Sequence, residues 1–188
     1  MKNQNFENTQ IIFLNTVSLP IRTGPSFTGV IRAKYFQSKG FDLVLIFPYL
    51  SIPEHQSKCW GFQMSREEYV KYLSGTYNTT IPIVTYNSVY HLGCQLAVNI
   101  NEIYENVRPH LKHPHKLIIE DPEPIYFSNI KNDFKGLFID KFDHIIGIHH
   151  TQYTKIALRK KEIPEEQILN FHHYFYKNYL PYIDTLII

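Results

Sequence analysis

Long apolar runs alternate with amphipathic stretches along this chain. Six stretches are predicted as strands from their apolar content, and they lie at residues 11–17, 41–49, 81–86, 117–120, 144–149 and 182–188. Helical spacing of apolar side chains is found between them, at residues 27–40, 65–75, 101–110 and 164–180. This alternation predicts βαβ units, and therefore one three-layer α/β domain with a mainly parallel sheet.

The first predicted helix has a clear apolar face and a clear end. Phe27, Val30, Ile31 and Tyr35 fall on one face at helical spacing. Gly40 stands where helices commonly stop. The second predicted strand follows at once.

Two further stretches differ in how clearly they predict a structure. Ser65 and Glu68 have the spacing of a capping box, which predicts the start of a short helix. The span between residues 86 and 101 has no dominant period and is left unassigned.

Composition narrows the class of protein. A chain of 188 residues with 44% hydrophobic and 19% charged residues fits one folded domain spanning residues 1–188. A formal net charge of +2 is too small to indicate nucleic-acid binding. Since no apolar run approaches the roughly 20 residues of a membrane span, and the first residues lack a signal peptide's apolar stretch, we expect the cytosol or a cytosol-facing membrane surface.

Two strand ends carry residues suited to binding. The apolar run before residue 150 ends in His150-Thr151, and the run before residue 18 leads into a turn at residues 21–26. Open parallel sheets bind ligands beyond the carboxyl ends of their strands. Together these ends predict a cleft.

Five segments, taken in order, resemble the amino-terminal half of plant and bacterial digalactosyldiacylglycerol synthases. They are Ser18-Leu-Pro20 with Thr23-Gly24, Arg32-Ala-Lys-Tyr35, Phe47-Pro-Tyr-Leu-Ser51, Glu120-Asp-Pro-Glu123 and Ile145-Ile-Gly-Ile-His-His-Thr-Gln-Tyr153. That family consists of retaining glycosyltransferases of the two-domain GT-B type. The resemblance implies a Rossmann-like, acceptor-side domain without the second, donor-binding domain. It also implies transfer of galactose from UDP-galactose to a galactolipid or a related lipid acceptor.

The resemblance also implies roles for particular residues. His150 matches the family's active-site histidine and is the expected catalytic residue. Thr23 and Gly24 are expected to hold the donor phosphate, because a glycine lets the backbone approach closely and a helix amino terminus favours anions. Pro25 weakens this expectation since it removes one backbone donor, and a plain tight turn is the alternative. His150 has an alternative of its own, as a hydrogen-bonded structural residue.

The acceptor is expected to contact a second group of residues: Glu120, Glu123, Thr151 and Tyr153. The acidic loop around Pro122 also has the paired carboxylates that glycoside hydrolysis requires, although the sequence does not give their separation. Solvated loop carboxylates remain the plainer interpretation.

Other chemistries find less support. The ten histidines lack the zincin arrangement, so we expect no metal and no cofactor other than the UDP-sugar donor. The first strand is not followed by G-x-G-x-x-G, which argues against a dinucleotide oxidoreductase. The basic stretch at residues 155–161 either meets anionic lipid or forms a solvated helix face.

The expected partners follow from the resemblance: a sugar nucleotide, a glycolipid acceptor, a membrane surface and a carboxyl-terminal glycosyltransferase half. We expect the isolated chain to be inactive without a second domain, because a GT-B cleft lies between two domains. The alternative is a non-catalytic standalone domain that binds a lipid, a sugar nucleotide or a separately encoded carboxyl-terminal half.

Overall fold

The computed structural model describes residues 9–91, 94–112, 114–120, 141–149 and 183–187, together with the single residues 164, 166, 170, 173 and 177. In this part of the chain the elements are, in order, β1 (Gln10–Asn15), α1 (Gly24–Ser38), β2 (Asp42–Leu50), α2 (Pro53–Trp60), α3 (Arg66–Tyr77), β3 (Ile83–His91), β4 (Cys94–Ala97), α4 (Ile100–Val107), a 3-10 helix (Arg108–His110), β5 (His115–Glu120), β6 (His144–Ile148) and β7 (Thr185–Ile187).

The strands form one sheet in the order β4-β3-β2-β1-β5-β6-β7. Every neighbouring pair is parallel except β3 with β4. From β1 the chain builds β2 and then β3 on one side, and it returns to the other side of β1 for β5, β6 and β7. The predicted α/β class with a mainly parallel sheet is confirmed, and the strand order is compatible with a Rossmann-like fold.

The core explains why β1 is apolar at almost every position. All six of its residues are buried. Ile12 and Leu14 belong to one cluster of buried side chains, which also receives α4, whereas Ile11 and Phe13 belong to another, which receives α1 and α3. Successive side chains of a strand point to opposite faces, so both faces of β1 are covered.

Helix α1 lies against the sheet through small residues. Its buried positions are Ser26, Gly29, Val30 and Ala33. Ile31 and Tyr35 are 65% and 60% exposed, and Phe27 is 39% exposed. Of the four residues on the predicted apolar face, only Val30 is therefore buried. The small side chains on the inner side allow the helix to lie close to the strands. The helix is therefore oriented with its bulky row of Phe27, Ile31 and Tyr35 facing outward.

The observed boundaries of other elements can be compared with the predicted ones. Helix α1 begins at Gly24, three residues before the predicted start. The capping box that opens α3 is confirmed: the Glu68 N–H donates to Ser65 Oγ at 3.2 Å, and the Ser65 N–H donates to Glu68 Oε2 at 2.8 Å. The unassigned span forms the end of β3 and the antiparallel strand β4.

Helix α2 was not predicted, since it is short and polar; it ends where Gly61 adopts a left-handed conformation with φ 80°. Of the last predicted helix, Glu166, Asn170, His173 and Lys177 are helical and exposed. Their spacing is that of one helix face, opposite the predicted apolar stripe, which lies outside the described residues.

The outer edge of β3 is covered in two ways. Its end pairs with β4, from Ser88 to His91. Before that point, side chains bind the outward backbone groups. Arg66 Nη1 and Asn106 Nδ2 donate to the Thr85 carbonyl at 3.2 and 2.9 Å. The Asn87 N–H donates to Glu102 Oε1 at 3.2 Å. Side chains from α3 and α4 thus replace part of a missing strand.

Candidate functional site

The change of direction between β1 and β5 marks the candidate site. Both strands run parallel, and Asn15 at the end of β1 lies opposite Glu120 at the end of β5. The connection after β1 leads to α1 and to β2 on one side of β1, whereas β6, the next described strand after β5, pairs with β5 on the side away from β1. Such a switch point opens a crevice beyond the carboxyl ends of the strands, where ligands of open α/β sheets bind.

Asn15 is fully buried at this point. Its Nδ2 donates to the Ile46 carbonyl of β2 at 3.2 Å. Its Oδ1 lies against Gly29 of α1, so closely that a Cβ atom at position 29 would stand 2.1 Å from it and 3.0 Å from Glu120 Cγ. Only a glycine fits at this crossing, and α1 is therefore held directly against the end of β1.

An ion pair between the partly exposed Arg32 and the buried Glu120 joins α1 to the end of β5. Glu120 is 1% exposed, and Arg32 Nη1 lies 2.5 Å from its Oε1 and 2.7 Å from its Oε2. The Thr16 hydroxyl donates to the Glu120 carbonyl at 2.9 Å. A buried carboxylate is costly unless it is paired and hydrogen-bonded. Arg32 supplies the compensating charge and fixes the helix relative to both strands.

The amino terminus of α1 opens toward solvent. Thr23 is the N-cap residue and is exposed. Its N–H donates to Ser26 Oγ at 3.2 Å, and Ser26 Oγ donates back to the Thr23 carbonyl at 2.7 Å. A Cβ atom at Gly24 would meet nothing within 4 Å. The first turn therefore leaves space for a ligand, although Pro25 contributes no N–H to it.

The loop between β1 and α1 is fixed by buried hydroxyl groups. Ser18 Oγ forms a short hydrogen bond with the Tyr69 hydroxyl, which also donates to the Leu19 carbonyl at 2.9 Å. The Ser18 N–H donates to Gln95 Oε1 at 3.1 Å. Tyr77 donates to the Ser26 carbonyl at 2.6 Å. Residues from α3 and β4 thus determine where this loop runs.

These tyrosines act as neutral donors. Burial raises the pKa of Tyr69 well above its usual value, although the hydrogen bond with Ser18 opposes the shift. Burial likewise raises the pKa of Tyr77 and of Tyr86, whose hydroxyl donates to the Asn15 carbonyl at 3.3 Å. The phenol protons therefore stay in place at neutral pH.

Three buried polar atoms near this edge have no hydrogen-bond partner within the part of the chain that the structure describes. They are Asn15 Oδ1, Ser88 Oγ and Gln95 Nε2. They belong to three different strands, β1, β3 and β4. Buried polar atoms in proteins are normally satisfied by protein groups or by buried water.

The structure brings part of the predicted site together. Glu120 stands at the switch point, and Thr23 and Gly24 lie at the start of the helix that packs on it. The predicted acceptor contact of Glu120 is complicated by Arg32, which already holds both carboxylate oxygens. His150, Glu123, Thr151 and Tyr153 lie outside the described residues, as does the basic stretch at residues 155–161.

Sequence reasoning missed several residues of this region as site residues. Asn15 and Gln95 were not singled out, and Arg32 was noted only for its resemblance to a motif. A polar residue at the end of an apolar strand, as Asn15 is, was the available signal. The pairing of Arg32 with Glu120 had none, because 88 positions separate the two residues.

A separate groove of about 620 Å³ lies away from this edge, beside the first half of β3. Arg66 and Lys71 of α3 line one wall, and Glu105, Asn106 and His110 line the other. It contains none of the residues predicted for the site.

Comparisons with known proteins leave the family open. A scan against protein-family models gives no match, and a search of curated proteins finds no similar sequence. Within the described ranges, no helix has the length and apolar character needed to cross a membrane. Among those same residues, no group of three or more histidine, cysteine or acidic side chains is arranged to hold a metal ion.

Proposed function

We propose that this chain is the acceptor-side, amino-terminal domain of a retaining glycosyltransferase similar to digalactosyldiacylglycerol synthase. In this proposal it is a three-layer, Rossmann-like domain of the GT-B type. It positions a galactolipid or related lipid while a second domain holds UDP-galactose. The reaction transfers galactose to the acceptor hydroxyl.

One observation carries the proposal. Arg32 belongs to the segment Arg32-Ala-Lys-Tyr35, and Glu120 opens the segment Glu120-Asp-Pro-Glu123. Both segments were singled out in the resemblance, and their charged residues meet at the switch point of the sheet, where Arg32 Nη1 contacts both carboxylate oxygens of Glu120. Distant motif residues that converge at the edge where α/β proteins bind ligands support a shared role in shaping that edge.

The charges at this edge suit a nucleotide-sugar reaction. An unpaired carboxylate would repel the diphosphate of a leaving UDP, and Arg32 neutralises Glu120. The open first turn of α1 adds the positive end of a helix dipole, which favours anions. The loop fixed by Ser18 and Tyr69 keeps this geometry in place before substrate arrives, so reactants meet a preorganised edge.

The proposal assigns His150 the direct contact with the reacting sugar. An imidazole can hydrogen-bond a sugar hydroxyl or respond to charge near the leaving group. Glu123, Thr151 and Tyr153 complete the proposed acceptor side. Arg32, Glu120 and Asn15 are positioning residues, because they hold strands and helix rather than contact substrate.

Binding of the soluble acceptor headgroup tests the proposal. Galactosylglycerol is added to the 188-residue chain, and saturation transfer from protein to ligand is measured by NMR. We expect a signal from the galactose protons that weakens in His150→Ala and persists in His149→Ala, with amide spectra confirming that both variants fold. Absence of saturation transfer at millimolar galactosylglycerol would argue against an acceptor site.

Turnover provides the second test. Radiolabelled galactose transfer from UDP-galactose to galactolipid in mixed micelles is measured for the chain alone and with an added donor-binding domain. We expect transfer only with both parts, since domain closure excludes water and brings donor to acceptor. His150→Ala is then expected to lower the rate about 10²-fold or more. Robust transfer by the chain alone would overturn the half-enzyme assignment.

A further inference from the structure

Helix α1 carries an exposed apolar row on the side that faces away from the sheet. Phe27, Ile31 and Tyr35 follow one another at intervals of four, so they form a line about 12 Å long. Ile31 and Tyr35 are among the most exposed large apolar side chains that the structure describes, at 65% and 60%. Phe27 also touches the Tyr77 ring, whereas the contact of α1 with the sheet is made by Ser26, Gly29, Val30 and Ala33 rather than by Ile31 and Tyr35.

The surroundings of this row are basic. Lys34 precedes Tyr35 on the helix, and Lys39 follows it at the C-cap, where its Nζ stands 5.4 Å from the centroid of the Tyr35 ring. Arg22 is exposed just before the helix. From residue 9 to residue 41 the sequence contains no aspartate or glutamate.

The nearest acidic residue in sequence does not offset these charges. Asp42 follows the helix at the start of β2, and its Oδ2 accepts from Lys112 Nζ at 2.7 Å and from Gln10 Nε2 at 3.2 Å. It is therefore already neutralised by a lysine of another segment. The outer side of α1 therefore combines exposed apolar side chains with basic ones.

We propose that the outer side of α1 docks on the surface of an anionic lipid bilayer, with Phe27, Ile31 and Tyr35 entering the headgroup region. Interfacial helices combine an apolar face with flanking lysines in this way. Each basic residue near an anionic surface adds attraction that decays within a Debye length. The choice of a lipid partner rests on the proposed function, whereas the exposed row is observed independently of it.

A bilayer fits this surface better than a second copy of the chain. The row stands on the convex outside of a helix, and three partly exposed side chains fall well short of the roughly 800 Å² that each partner of a standard interface buries. A fluid headgroup region needs no complementary groove. The positive charge also disfavours a second copy, because the same row would meet its own lysines.

Co-sedimentation with vesicles tests the inference. Three compositions are compared: phosphatidylcholine alone, phosphatidylcholine with 30 mol% phosphatidylglycerol as roughly the charge of an anionic leaflet, and phosphatidylcholine with the same fraction of monogalactosyldiacylglycerol. We expect the wild-type chain to bind the phosphatidylglycerol vesicles most strongly. Binding should weaken as salt rises, because the charges are screened.

Matched variants separate the contributions. We expect Ile31→Gln with Tyr35→Gln to lower the partition coefficient at least tenfold, since two apolar side chains lose their burial. Lys34→Gln with Lys39→Gln should lower binding at low salt only. Val98→Gln removes another exposed apolar side chain, 58% exposed and in a different region, and Lys71→Gln removes an exposed lysine of α3. Neither control should change binding.

A fluorescence measurement tests whether the row itself enters the bilayer or affects binding only indirectly. Tyr35→Trp places a reporter in the row, beside the constant background of buried Trp60, and we expect a blue shift when phosphatidylglycerol vesicles are added. Equal binding by the double glutamine variant, or no blue shift, would overturn the inference. So would binding that follows galactolipid rather than charge. None of these results alters headgroup binding in solution, so failure here is distinguishable from failure of the proposed function.

Discussion

The two sides of α1 obey different rules. On the inner side, Gly29 and Arg32 meet fixed partners: one contacts Asn15, and the other holds the carboxylate of Glu120. On the outer side, Ile31 and Tyr35 have no such constraint from the fold and are largely exposed. The residues on the inner side are therefore determined by their contacts within the fold. The exposed apolar side chains on the outer side are explained by a binding partner, for which we propose a lipid surface.

Alkaline titration tests the buried hydroxyl groups behind the inner side. The folded pKa values of Tyr69, Tyr77 and Tyr86 lie above the ordinary value of 10.0. Their contribution is complete below pH 10 and is lost as the pH rises further, because the unfolded chain releases the phenol protons first. We expect three protons to remove about 4 kcal/mol of unfolding free energy by pH 11.

Urea denaturation between pH 8 and pH 11.5 measures this loss. Tyr86→Phe should flatten the slope by about one proton. An unfolding free energy that stays constant across this range would show that the three hydroxyl groups are not protected by the fold.

Removal of the Arg32 charge is the next largest change. Arg32→Met keeps much of the side-chain volume but leaves Glu120 buried without this partner, which we expect to cost about 3 kcal/mol. The double variant Arg32→Met with Glu120→Gln should recover part of the loss. Chemical denaturation of the four proteins gives the coupling energy, and additive effects would contradict a direct pair.

Substitution of Gly29 probes the close crossing itself. A Cβ atom there would overlap Asn15 Oδ1, so we expect Gly29→Ala to destabilise the chain by about 2 kcal/mol through overpacking. Gly75→Ala is the matched control, because its Cβ atom would meet nothing within 4 Å. That control should be neutral or slightly stabilising, by up to about 1 kcal/mol. Similar destabilisation by both variants would show that the close contact at Gly29 is not the cause of the loss.

The smallest effect is expected on the outer side. Ile31→Gln with Tyr35→Gln should change the unfolding free energy by less than about 0.5 kcal/mol per site, as exposed substitutions usually do. Thermal unfolding monitored by circular dichroism checks this. A large loss would show that the row contributes to folding, and the contrast between the two sides of α1 would disappear.

The sequence was sufficient to predict strands whose two faces are both buried. Strands β1, β2 and β5 were predicted because both of their faces are covered and each contains a continuous apolar run. The capping box at Ser65 was predictable since its bonds are local.

The orientation of α1 was not predictable in the same way. Its sequence offers a bulky row and a small row, and only the distance between helix and sheet decides which row is buried. The Arg32–Glu120 pair depends on the fold of the intervening chain, and so does the clamp of Gln95 on Ser18. Long-range polar contacts of this kind leave no periodic signal in a sequence.

The side chains that cover the outer edge of β3 also affect how copies of this chain behave at high concentration. An uncovered strand edge is a template on which another chain can add a strand, and repeated addition leads to fibres. Here the Thr85 carbonyl and the Asn87 N–H are bound by Asn106 and Glu102. A strand arriving from a second molecule would have to displace both of these hydrogen bonds and leave charged groups against its own backbone. The first half of β3 is thereby protected against the addition of a strand.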